Sequence, residues 1–283
     1  MSTVFTWKPV DLEALLQSCE RDEVTPLVHE HFPSRGSVLE CGCGLGRFLR
    51  YLTDRGYRTI GIEHAHGTLR AVHAAWPDLP VVAGDAARTP FASASFDALL
   101  SLGLVEHWTQ GPDAALREHL RVLKPGGIAV ITVPLLNPVR QWKRRLWWNE
   151  LFGLPRGTAR RLLRGGSLRP NRLGAAPYAV HPAYGPFFEY RLTREEFASA
   201  VAGAGFEILL HRPLGHMDGL YHELNPLGLL VRFRDWRFRA TPLARILNAR
   251  LSQRPFLHSH MQAVVARRPA SVQAPLDSRR GTP

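Results

Sequence analysis

Three glycines, Gly42, Gly44 and Gly46, stand at alternate positions where an apolar run is followed by a helical pattern. Glycine costs stability in regular structure, so this spacing indicates a turn whose backbone must bend sharply or approach a ligand closely. One acid, Glu40, precedes the turn, and a second, Glu63, ends the next apolar run. A carboxylate beside the turn suits a cationic amino group, and one at the next strand end suits ribose hydroxyls. These residues favour a nucleoside that carries an amino acid.

A nicotinamide dinucleotide is the alternative ligand for such a turn. Its fingerprint is GxGxxG, with the pyrophosphate on the N-terminus of the following helix. This chain has GxGxG instead, and Arg47 stands where the dinucleotide pattern needs its last glycine. An acid at position 40 also disfavours a pyrophosphate. A nicotinamide-dependent oxidoreductase is therefore the weaker alternative.

A second group of chemistry-bearing residues lies in the run LVEHW, Leu104 to Trp108. His107 is the candidate for a general base or for a group that orients a substrate, with Glu106 beside it. Trp108 is a candidate substrate contact. The alternative for His107 is a histidine hydrogen-bonded within the frame at the start of the next helix, and both interpretations stay open.

The elements that must position these residues alternate between strand and helix patterns. Strands are predicted in SVLECG, YRTIGIE, LPVVAGD, SFDALLSLG and GIAVITVP, with helices between them. Thr193 and Glu196 form a capping box before a later helix, and FEILLHR and MQAVVARR are two further strands. Buried strands that alternate with helices indicate an α/β fold with one mostly parallel sheet covered on both faces. In such a sheet ligands bind at the carboxyl ends of the strands, where the glycine turn falls.

The runs ECGCGLG, GIE, GDA, SFDALLSLGLVEHW and RVLKPGGIAVITVP follow one another in the order and spacing of a known family. Together they resemble class I S-adenosylmethionine-dependent methyltransferases, in particular the small-molecule subgroup that includes ubiquinone and sterol methyltransferases. The resemblance covers residues 37–134 and resumes at EYRLTREEFASAVAGAGFEILLHRPL. It implies a Rossmann-like, seven-stranded, mostly parallel sheet, with S-adenosylmethionine as the cofactor. In RVLKPGG a structural role, shaping the turn into the fifth strand, is expected.

The resemblance also implies which residues contact the cofactor. Glu63 would bind the ribose hydroxyls and His64 would border the adenine. Asp85 would accept the adenine amino group with Ala86 alongside, and Leu102 would contact the adenosine or methionine portion. The methionine part is implied to lie against the turn, that is, against Glu40, Gly42, Cys43, Gly44 and Gly46.

No metal is predicted. In ubiquinone-type O-methyltransferases, an acid three residues before the Glu-His pair helps to hold a divalent cation. Here that position is Gly103. The three cysteines likewise lack the spacing of a zinc site or the number of a disulfide scaffold. With no signal-peptide pattern and no apolar run of about 20 residues, a cytoplasmic protein is expected.

The chain is predicted to have five segments. These are an N-terminal helical segment (1–36), a cofactor-binding core (37–134), a basic and aromatic insertion (135–190), the remainder of the core (191–268) with a second insertion (213–258), and a disordered tail (269–283). Both insertions look irregular and are expected to fold together as a lid over the transferred methyl group. They supply candidate substrate contacts: Tyr178, His181, Tyr184, Tyr190, His216, Tyr221 and His222.

The net charge of +12 comes from the second half of the chain. Up to Pro134 there are 12 Lys and Arg against 15 Asp and Glu (−3), and the remainder has 24 against 9 (+15). The run RQWKRRLWWNELFGLPRGTARRLLRGG is the most basic stretch. It could meet an anionic substrate, a membrane surface or nucleic acid, or be a solvated basic surface. A helical wheel gives no single apolar face, which disfavours a membrane-surface helix, and no RNA-binding module is recognisable.

These observations predict an enzyme that transfers the methyl group by direct displacement to a small hydrophobic or anionic metabolite. Oxygen is the favoured acceptor atom, and nitrogen and carbon stay open. The alternatives are an RNA methyltransferase and a non-catalytic S-adenosylmethionine-binding partner subunit.

Overall fold

The computed structural model describes residues 11–145, 178–181, 185–225, 228–234, 237–254 and 256–270. Its strands are β1 (Ser37–Cys41), β2 (Arg58–Glu63), β3 (Val81–Ala83), β4 (Phe96–Leu102), β5 (Leu123–Pro134), β6 (Tyr178–His181), β7 (Gly185–Phe188), β8 (Glu207–Leu214), β9 (Val231–Arg234), β10 (Arg237–Ala240) and β11 (Met261–Arg267). Its α-helices are α1 (Leu12–Cys19), α2 (Thr25–His31), α3 (Arg47–Thr53), α4 (His66–Ala75), α5 (Asp113–Val122), α6 (Pro138–Arg145), α7 (Arg194–Gly203), α8 (His216–Leu224) and α9 (Pro242–Ser252). A short 3₁₀ helix spans Val105–His107.

Seven strands form one sheet in the order β3-β2-β1-β4-β5-β11-β8. The first five strands of the chain pair in parallel, while β11 runs antiparallel between β5 and β8. The predicted seven-stranded, mostly parallel α/β sheet is confirmed. Because β1 lies between β2 and β4, the strand order reverses at β1, and the crevice at its carboxyl end is the expected ligand position.

The sheet is buried on both faces, as near-continuous apolar strands require. In β1, Leu39 and Cys41 belong to one apolar cluster, whereas Val38 belongs to a cluster on the opposite face. Leu116 of α5 and Phe197 of α7 pack into the first cluster, and α1, α2 and α3 contribute to the second. Helices from both ends of the chain therefore hold the same sheet.

Local signals in the sequence are realised at two element ends. The Thr193 hydroxyl accepts a hydrogen bond from the Glu196 N–H, and the Glu196 carboxylate accepts one from the Thr193 N–H, which is the predicted capping box of α7. In RVLKPGG, Lys124 Nζ donates to Asp97 Oδ1 at 2.7 Å. This contact supports a structural role for that turn. β5 begins at Leu123, four residues earlier than the predicted strand.

The second insertion is not irregular, contrary to the expectation. α8, a hairpin of β9 and β10, and α9 follow β8, and they pack around Leu220, Val231 and Ala244. These elements are short. Some of their apolar residues pack in this small cluster and others line a cavity described below, so the sequence shows no regular helical or strand spacing of apolar residues. β8 also extends to Leu214, which places the first two residues of the predicted insertion in the sheet.

The other predicted segments are described in part. α1 and α2 agree with an N-terminal helical segment. For the basic insertion the structure describes α6 and the hairpin of β6 and β7, while most of the Arg- and Trp-rich run lies outside the described residues, as does the predicted tail from residue 271 onward. Within the described ranges, no helix is long and apolar enough to cross a membrane.

Candidate functional site

All three glycines of the turn between β1 and α3 adopt left-handed backbone conformations. The φ angle is 67° at Gly42, 54° at Gly44 and 74° at Gly46. A Cβ added at Gly42 would lie 2.6 Å from the Leu104 side chain. Residues with a Cβ rarely adopt such φ angles. The turn therefore needs glycine for its own shape, and that shape leaves its backbone open to a ligand.

The Glu63 carboxylate connects this turn to the end of β2. Its Oε2 accepts a hydrogen bond from the Gly44 N–H at 3.0 Å, and its Oε1 accepts from the His64 and Ala65 N–H groups, each at 2.8 Å. A carboxylate has about four acceptor positions, so capacity for a further donor remains. Glu63 thus fixes the turn, and its contact with ribose hydroxyls stays a prediction.

The turn lines a cavity of about 140 Å³, called here the turn cavity. Its wall combines the carboxyl ends of β1 and β4 with residues of the N-terminal segment. Five of the predicted cofactor contacts line it: Glu40, Gly42, Cys43, Gly44 and Leu102. The structure therefore brings together residues that the sequence assigned from separate motifs.

The remaining predicted cofactor contacts lie at the same edge of the sheet, and none is among the described residues that line the turn cavity. His64 and Asp85 are exposed just beyond β2 and β3. Asp85 Oδ1 accepts a hydrogen bond from the Ala87 N–H at 2.8 Å. Ala86 is buried in the core, and Gly46 is the N-cap of α3. Contact of these residues with a cofactor stays a prediction.

Glu40 is a buried acid of the turn cavity whose pKa is raised. Its side chain is buried, and its Oε2 has no hydrogen-bond partner among the described residues. Burial raises the pKa of Glu40 to about 8, although the nearby Arg47 guanidinium opposes this shift. A buried carboxylate oxygen without a partner is costly, which a cationic donor from a ligand would relieve.

The N-terminal segment closes over the turn through Arg47, a contact that the sequence analysis missed. Arg47 donates to Asp22 at 2.6 Å and to Ser18 at 3.0 Å. Leu15 of α1 also lines the turn cavity. The only signal in the sequence was the arginine that replaces glycine in the dinucleotide pattern, and its partners could not be read from it.

A larger cavity of about 860 Å³ adjoins the turn cavity. The two share three lining residues, Leu15, Arg47 and Leu102. The wall of the larger cavity comes from the N-terminal segment, the carboxyl ends of β4 and β8, the helix α8 and the hairpin of β9 and β10. Tyr221 and His222, two predicted substrate contacts, lie on this wall.

An aromatic cluster forms one side of the larger cavity. The ring centroids of Phe233 and Phe238 are 4.8 Å apart, and Tyr221 lies 5.7 Å from Phe238 and 6.4 Å from Phe233. Phe233 is exposed. Aromatic surface of this kind favours an apolar or flat aromatic ligand.

A polar cluster lies behind the same wall, and two of its members, Asp218 and His222, line the larger cavity. His222 Nε2 is 3.2 Å from Asp218 Oδ1, and the His222 ring stacks on the His260 ring with centroids 4.6 Å apart. Arg140 Nη2 contacts His260 Nδ1 at 2.7 Å, and Arg140 also pairs with the buried Glu223. Burial lowers the pKa of His260 to about 3. Burial raises the pKa of Asp218, but the hydrogen bond from His222 and the nearby positive charges, including Arg140, together outweigh it and leave the pKa lowered.

Glu106 and His107 are not among the described residues that line either cavity. Glu106 is 2% exposed, and burial raises its pKa well above the usual range. His107 is half-buried, with its Nε2 4.0 Å from Glu106 Oε1, too far for a hydrogen bond. Trp108 packs against the core. None of the three is among the described residues that line either cavity, so their catalytic and substrate roles stay predictions.

The other candidate substrate contacts also differ in position. Tyr190 is fully buried, and its hydroxyl donates to the Thr109 carbonyl oxygen at 2.8 Å, which makes it a core residue. His216, at the start of α8, bonds through Nδ1 to the Ser259 hydroxyl at 2.9 Å. Tyr178 and His181 lie on β6, but their side chains, like the whole of Tyr184, lie outside the described part of the chain.

Comparison with known proteins agrees with this architecture. Residues 39–131 match the family model described as a methyltransferase domain. A demethylmenaquinone methyltransferase from Thermobifida fusca is 39% identical over 124 residues, which are 42% of this chain and 52% of that protein. A probable S-adenosylmethionine-dependent methyltransferase from Mycolicibacterium smegmatis is 34% identical over 98 residues, 34% of this chain and 37% of that protein. The chain thus spans about half or less of the length of these curated relatives.

Among solved structures, a SAM-dependent methyltransferase from Methanosarcina mazei has a TM-score of 0.57 at 15% identity, covering 87% of this chain and 98% of that one. At this identity the likeness concerns the fold. The chain therefore has the fold of S-adenosylmethionine-dependent methyltransferases, and residues 39–131 of it match a methyltransferase domain.

Proposed function

We propose that this chain transfers the methyl group of S-adenosylmethionine to the oxygen of a small hydrophobic metabolite held in the larger cavity. The observation that carries the proposal is the pair of adjoining cavities. One has a buried carboxylate oxygen without a partner, and the other has mostly apolar walls. Leu15 and Leu102 lie on the walls of both cavities and would exclude water from their junction.

The residues of the turn cavity fit the cofactor. The unpartnered Oε2 of Glu40 would accept a hydrogen bond from its ammonium group, and the left-handed glycines let the backbone approach the methionine part. Bound there, S-adenosylmethionine supplies an electrophilic methyl group on a sulfonium. The protein then has to align the acceptor with it and keep water out, and proximity can account for much of the acceleration.

The charges around the larger cavity favour a hydrophobic acceptor over an anionic one. Its described lining includes the acids Asp22, Glu23 and Asp218 but only two arginines, Arg21 and Arg47. Arg47 is already paired with Asp22. An anion would therefore meet no net positive wall. A cavity of about 860 Å³ lies within the usual size of small-molecule sites.

The relatives support the same class of acceptor. The relative from Thermobifida fusca is a demethylmenaquinone methyltransferase, which acts on a small molecule. That match covers only part of each chain, so it bears on the cofactor-binding half more than on the larger cavity. An RNA methyltransferase and a partner-dependent subunit are the competing functions, since most of the basic run that would meet phosphates lies outside the described residues.

Methyl-labelled S-adenosylmethionine, purified protein and an extract of the native cells test the proposal. Label is expected in an organic-extractable small molecule, and mass spectrometry then identifies the methylated atom. Label in RNA or protein would overturn the proposed substrate class. Cofactor binding without any labelled product would favour a partner-dependent subunit.

The variant Gly44→Val tests the cofactor site directly. Its φ of 54° and its position in the turn predict loss of S-adenosylmethionine binding, measured by calorimetry. Gly56→Val is the matched control, because Gly56 has a φ of 86° with nothing within 4 Å of an added Cβ. Both variants should lose stability through backbone strain, but only Gly44→Val should lose the cofactor. Equal cofactor affinity in the two variants would contradict the turn assignment.

A further inference from the structure

We propose that His222 is the general base of the transfer, that Asp218 orients it, and that the acceptor group is therefore a hydroxyl. This inference rests on the proposed function and specifies how its larger cavity works. Both residues lie on the wall of that cavity, one helical turn apart on α8. Neither belongs to the methyltransferase motifs, and the histidine assigned from those motifs, His107, is not among the described lining residues.

The first step of the argument is the proton on His222. An ionised carboxylate only accepts hydrogen bonds, so Asp218 Oδ1, 3.2 Å away, holds the proton on His222 Nε2. In the neutral ring the lone pair is then on Nδ1. The side chain is 48% exposed and lines the cavity, so it can reach both an acceptor and bulk water. A base fixed in one tautomer by a carboxylate is the arrangement that proton abstraction needs.

The second step concerns His260, which makes a metal site the competing interpretation. Potential ligand atoms of Asp218, His222 and His260 all lie within 4.8 Å of one another. However, the guanidinium of Arg140 can only donate, so His260 Nδ1 must accept and the ring proton sits on Nε2. To bind a metal through Nε2, His260 would need its proton on Nδ1, where it would donate to a hydrogen-bond acceptor. His260 is thus set up as a neutral ring that stacks on His222, and not as a metal ligand.

The third step is how the pair is held in place. Gly219 lies between the two residues, and a Cβ there would overlap the His258 carbonyl oxygen. α8 therefore approaches the segment before β11 more closely than any other residue would allow. Arg140 adds a second connection from α6, through its bonds to His260 and Glu223. The position of Asp218 and His222, the proposed dyad, therefore depends on tertiary packing.

The chemistry balances without another reactant. The acceptor oxygen bonds to the methyl carbon while the carbon–sulfur bond of the cofactor breaks, and the hydroxyl proton moves to His222 Nδ1. The products are a methyl ether, S-adenosylhomocysteine and an imidazolium. One positive charge disappears from the sulfonium and one appears on His222, opposite the Asp218 carboxylate. The proton then leaves to solvent. A general base of this kind contributes about 10²–10⁴-fold in rate.

The first test is kinetic and uses the labelled cofactor with the organic extract of native cells as the acceptor source. His222→Gln should lower kcat by about 100-fold or more, with S-adenosylmethionine affinity by calorimetry unchanged within about threefold. His73→Gln is the matched control, an exposed histidine of α4 that is not among the described residues lining either cavity. Wild-type kcat in His222→Gln would overturn the inference while leaving the proposed function intact. A wild-type product methylated on nitrogen or carbon would overturn it as well.

Asp218→Asn separates a positioning role from a structural one. Without that carboxylate the ring is no longer held in the tautomer that leaves Nδ1 free, so kcat should fall by about tenfold while KM and S-adenosylmethionine affinity stay unchanged. The other charged and titratable groups around the pair stay in place: His260, Arg140, Glu223 and Arg191. An unchanged kcat, or a lower kcat accompanied by an equal loss of cofactor affinity, would count against a positioning role for Asp218.

Nuclear magnetic resonance of ¹⁵N-histidine in the full chain, without any acceptor, gives an independent readout. His222 is expected as the Nε2–H tautomer in the wild type, and this preference should weaken in Asp218→Asn. Titration with Zn²⁺ should leave the His222 and His260 signals unmoved. A stoichiometric Zn²⁺ response at both rings, with activity lost to a chelator and restored by the metal, would overturn the base role and identify a metal centre.

Discussion

The turn cavity and the larger cavity adjoin, yet they are built in different ways. The turn cavity is made mainly by backbone, with three left-handed glycines and a carboxylate, Glu63, that bonds three N–H groups. The larger cavity is made by side chains from the N-terminal segment, α8 and a hairpin, elements far apart in the sequence. The side chains of Asp218 and His222 in the larger cavity are 29% and 48% exposed, whereas Glu40 in the turn cavity is buried.

This difference explains which residues a sequence can identify. A backbone site needs particular residue types at fixed spacing, because only glycine tolerates the φ angles involved. A side-chain site needs only that suitable groups meet in space, and their spacing along the chain is set by packing. The comparison also predicts that the two cavities can be damaged separately.

The largest effect should come from Gly219→Ala. The added Cβ would overlap a carbonyl oxygen, and a backbone atom cannot move aside as a flexible side chain can. We expect α8 to be displaced, the free energy of unfolding to fall by about 3 kcal/mol or more, and methyl transfer to be lost. S-adenosylmethionine affinity should change by less than about threefold, because α8 is not part of the described wall of the turn cavity. Denaturant unfolding and calorimetry measure these quantities.

Gly203→Ala is the control for that variant. Gly203 is also helical, at the end of α7, but an added Cβ there meets nothing within 4 Å. Replacing a helical glycine by alanine then stabilises the fold by about 0.5–1 kcal/mol. Equal stability of the two variants would contradict the predicted clash at Gly219. Loss of cofactor binding in Gly219→Ala would contradict the prediction that the two cavities can be damaged separately.

A smaller, local effect is expected from Glu40→Gln. A hydrogen bond from an ammonium to a carboxylate is worth about 1.5–3 kcal/mol, so cofactor affinity should fall by about 10–100-fold. The pKa of Glu40 is raised by burial to about 8, so at pH 7 the carboxyl is mostly protonated and must lose its proton when a cation binds. Wild-type affinity should therefore increase between about pH 6 and pH 7.5, below the titration of the cofactor amino group.

Calorimetry in buffers of different ionisation enthalpy measures this linkage. Wild-type binding should release up to one proton, and Glu40→Gln should release none. The stability of the ligand-free protein should change with pH in the opposite direction to the cofactor affinity. A raised carboxyl pKa means that the fold loses stability as pH rises from about 4.5 toward 8, so the ligand-free variant should unfold no more easily than the wild type. Glu207→Gln, an exposed carboxylate on β8, is the control. Unchanged affinity in Glu40→Gln would mean that Oε2 meets no ligand.

The smallest effect should come from Asp97→Asn, near the amino end of β4 and so at the end of the parallel strands opposite the cavities. Burial raises the pKa of Asp97, but bonds from Lys124 and Ser37 outweigh it and bring the pKa to about 2. Their stabilisation is present above the usual value of 3.8 and is lost as pH falls toward 2. The variant should lose about 1 kcal/mol at pH 7, because the Lys124 partner is 41% exposed to solvent.

Thermal unfolding across pH measures this difference, which should vanish near pH 2. Cofactor affinity and kcat should not change. A loss of cofactor affinity in Asp97→Asn would show that the turn cavity depends on the amino ends of the strands. The cavity could then no longer be treated as a local backbone structure.

Much of the fold could be predicted from the sequence, and the site only in part. The seven strands, the capping box at Thr193 and five contacts of the turn cavity follow from local patterns and motif spacing. The second insertion was wrongly expected to be irregular. Its short elements are stabilised by packing around Leu220 and Val231, a contact that no local period reveals. Tyr190 was assigned to the substrate site for its residue type, but its hydroxyl bonds the chain within the core.

The sequence by itself determined the sheet, the glycine turn and the proposed position of the cofactor, because these depend on residue types at fixed short spacings. Tertiary structure alone decided the acceptor side. It set Arg47 against Asp22, brought α8 onto the chain before β11 at Gly219, and placed His222 beside Asp218 on the wall of the larger cavity. The physical reason is that side-chain contacts between distant segments depend on how elements pack, and packing is not written in any local run of residues.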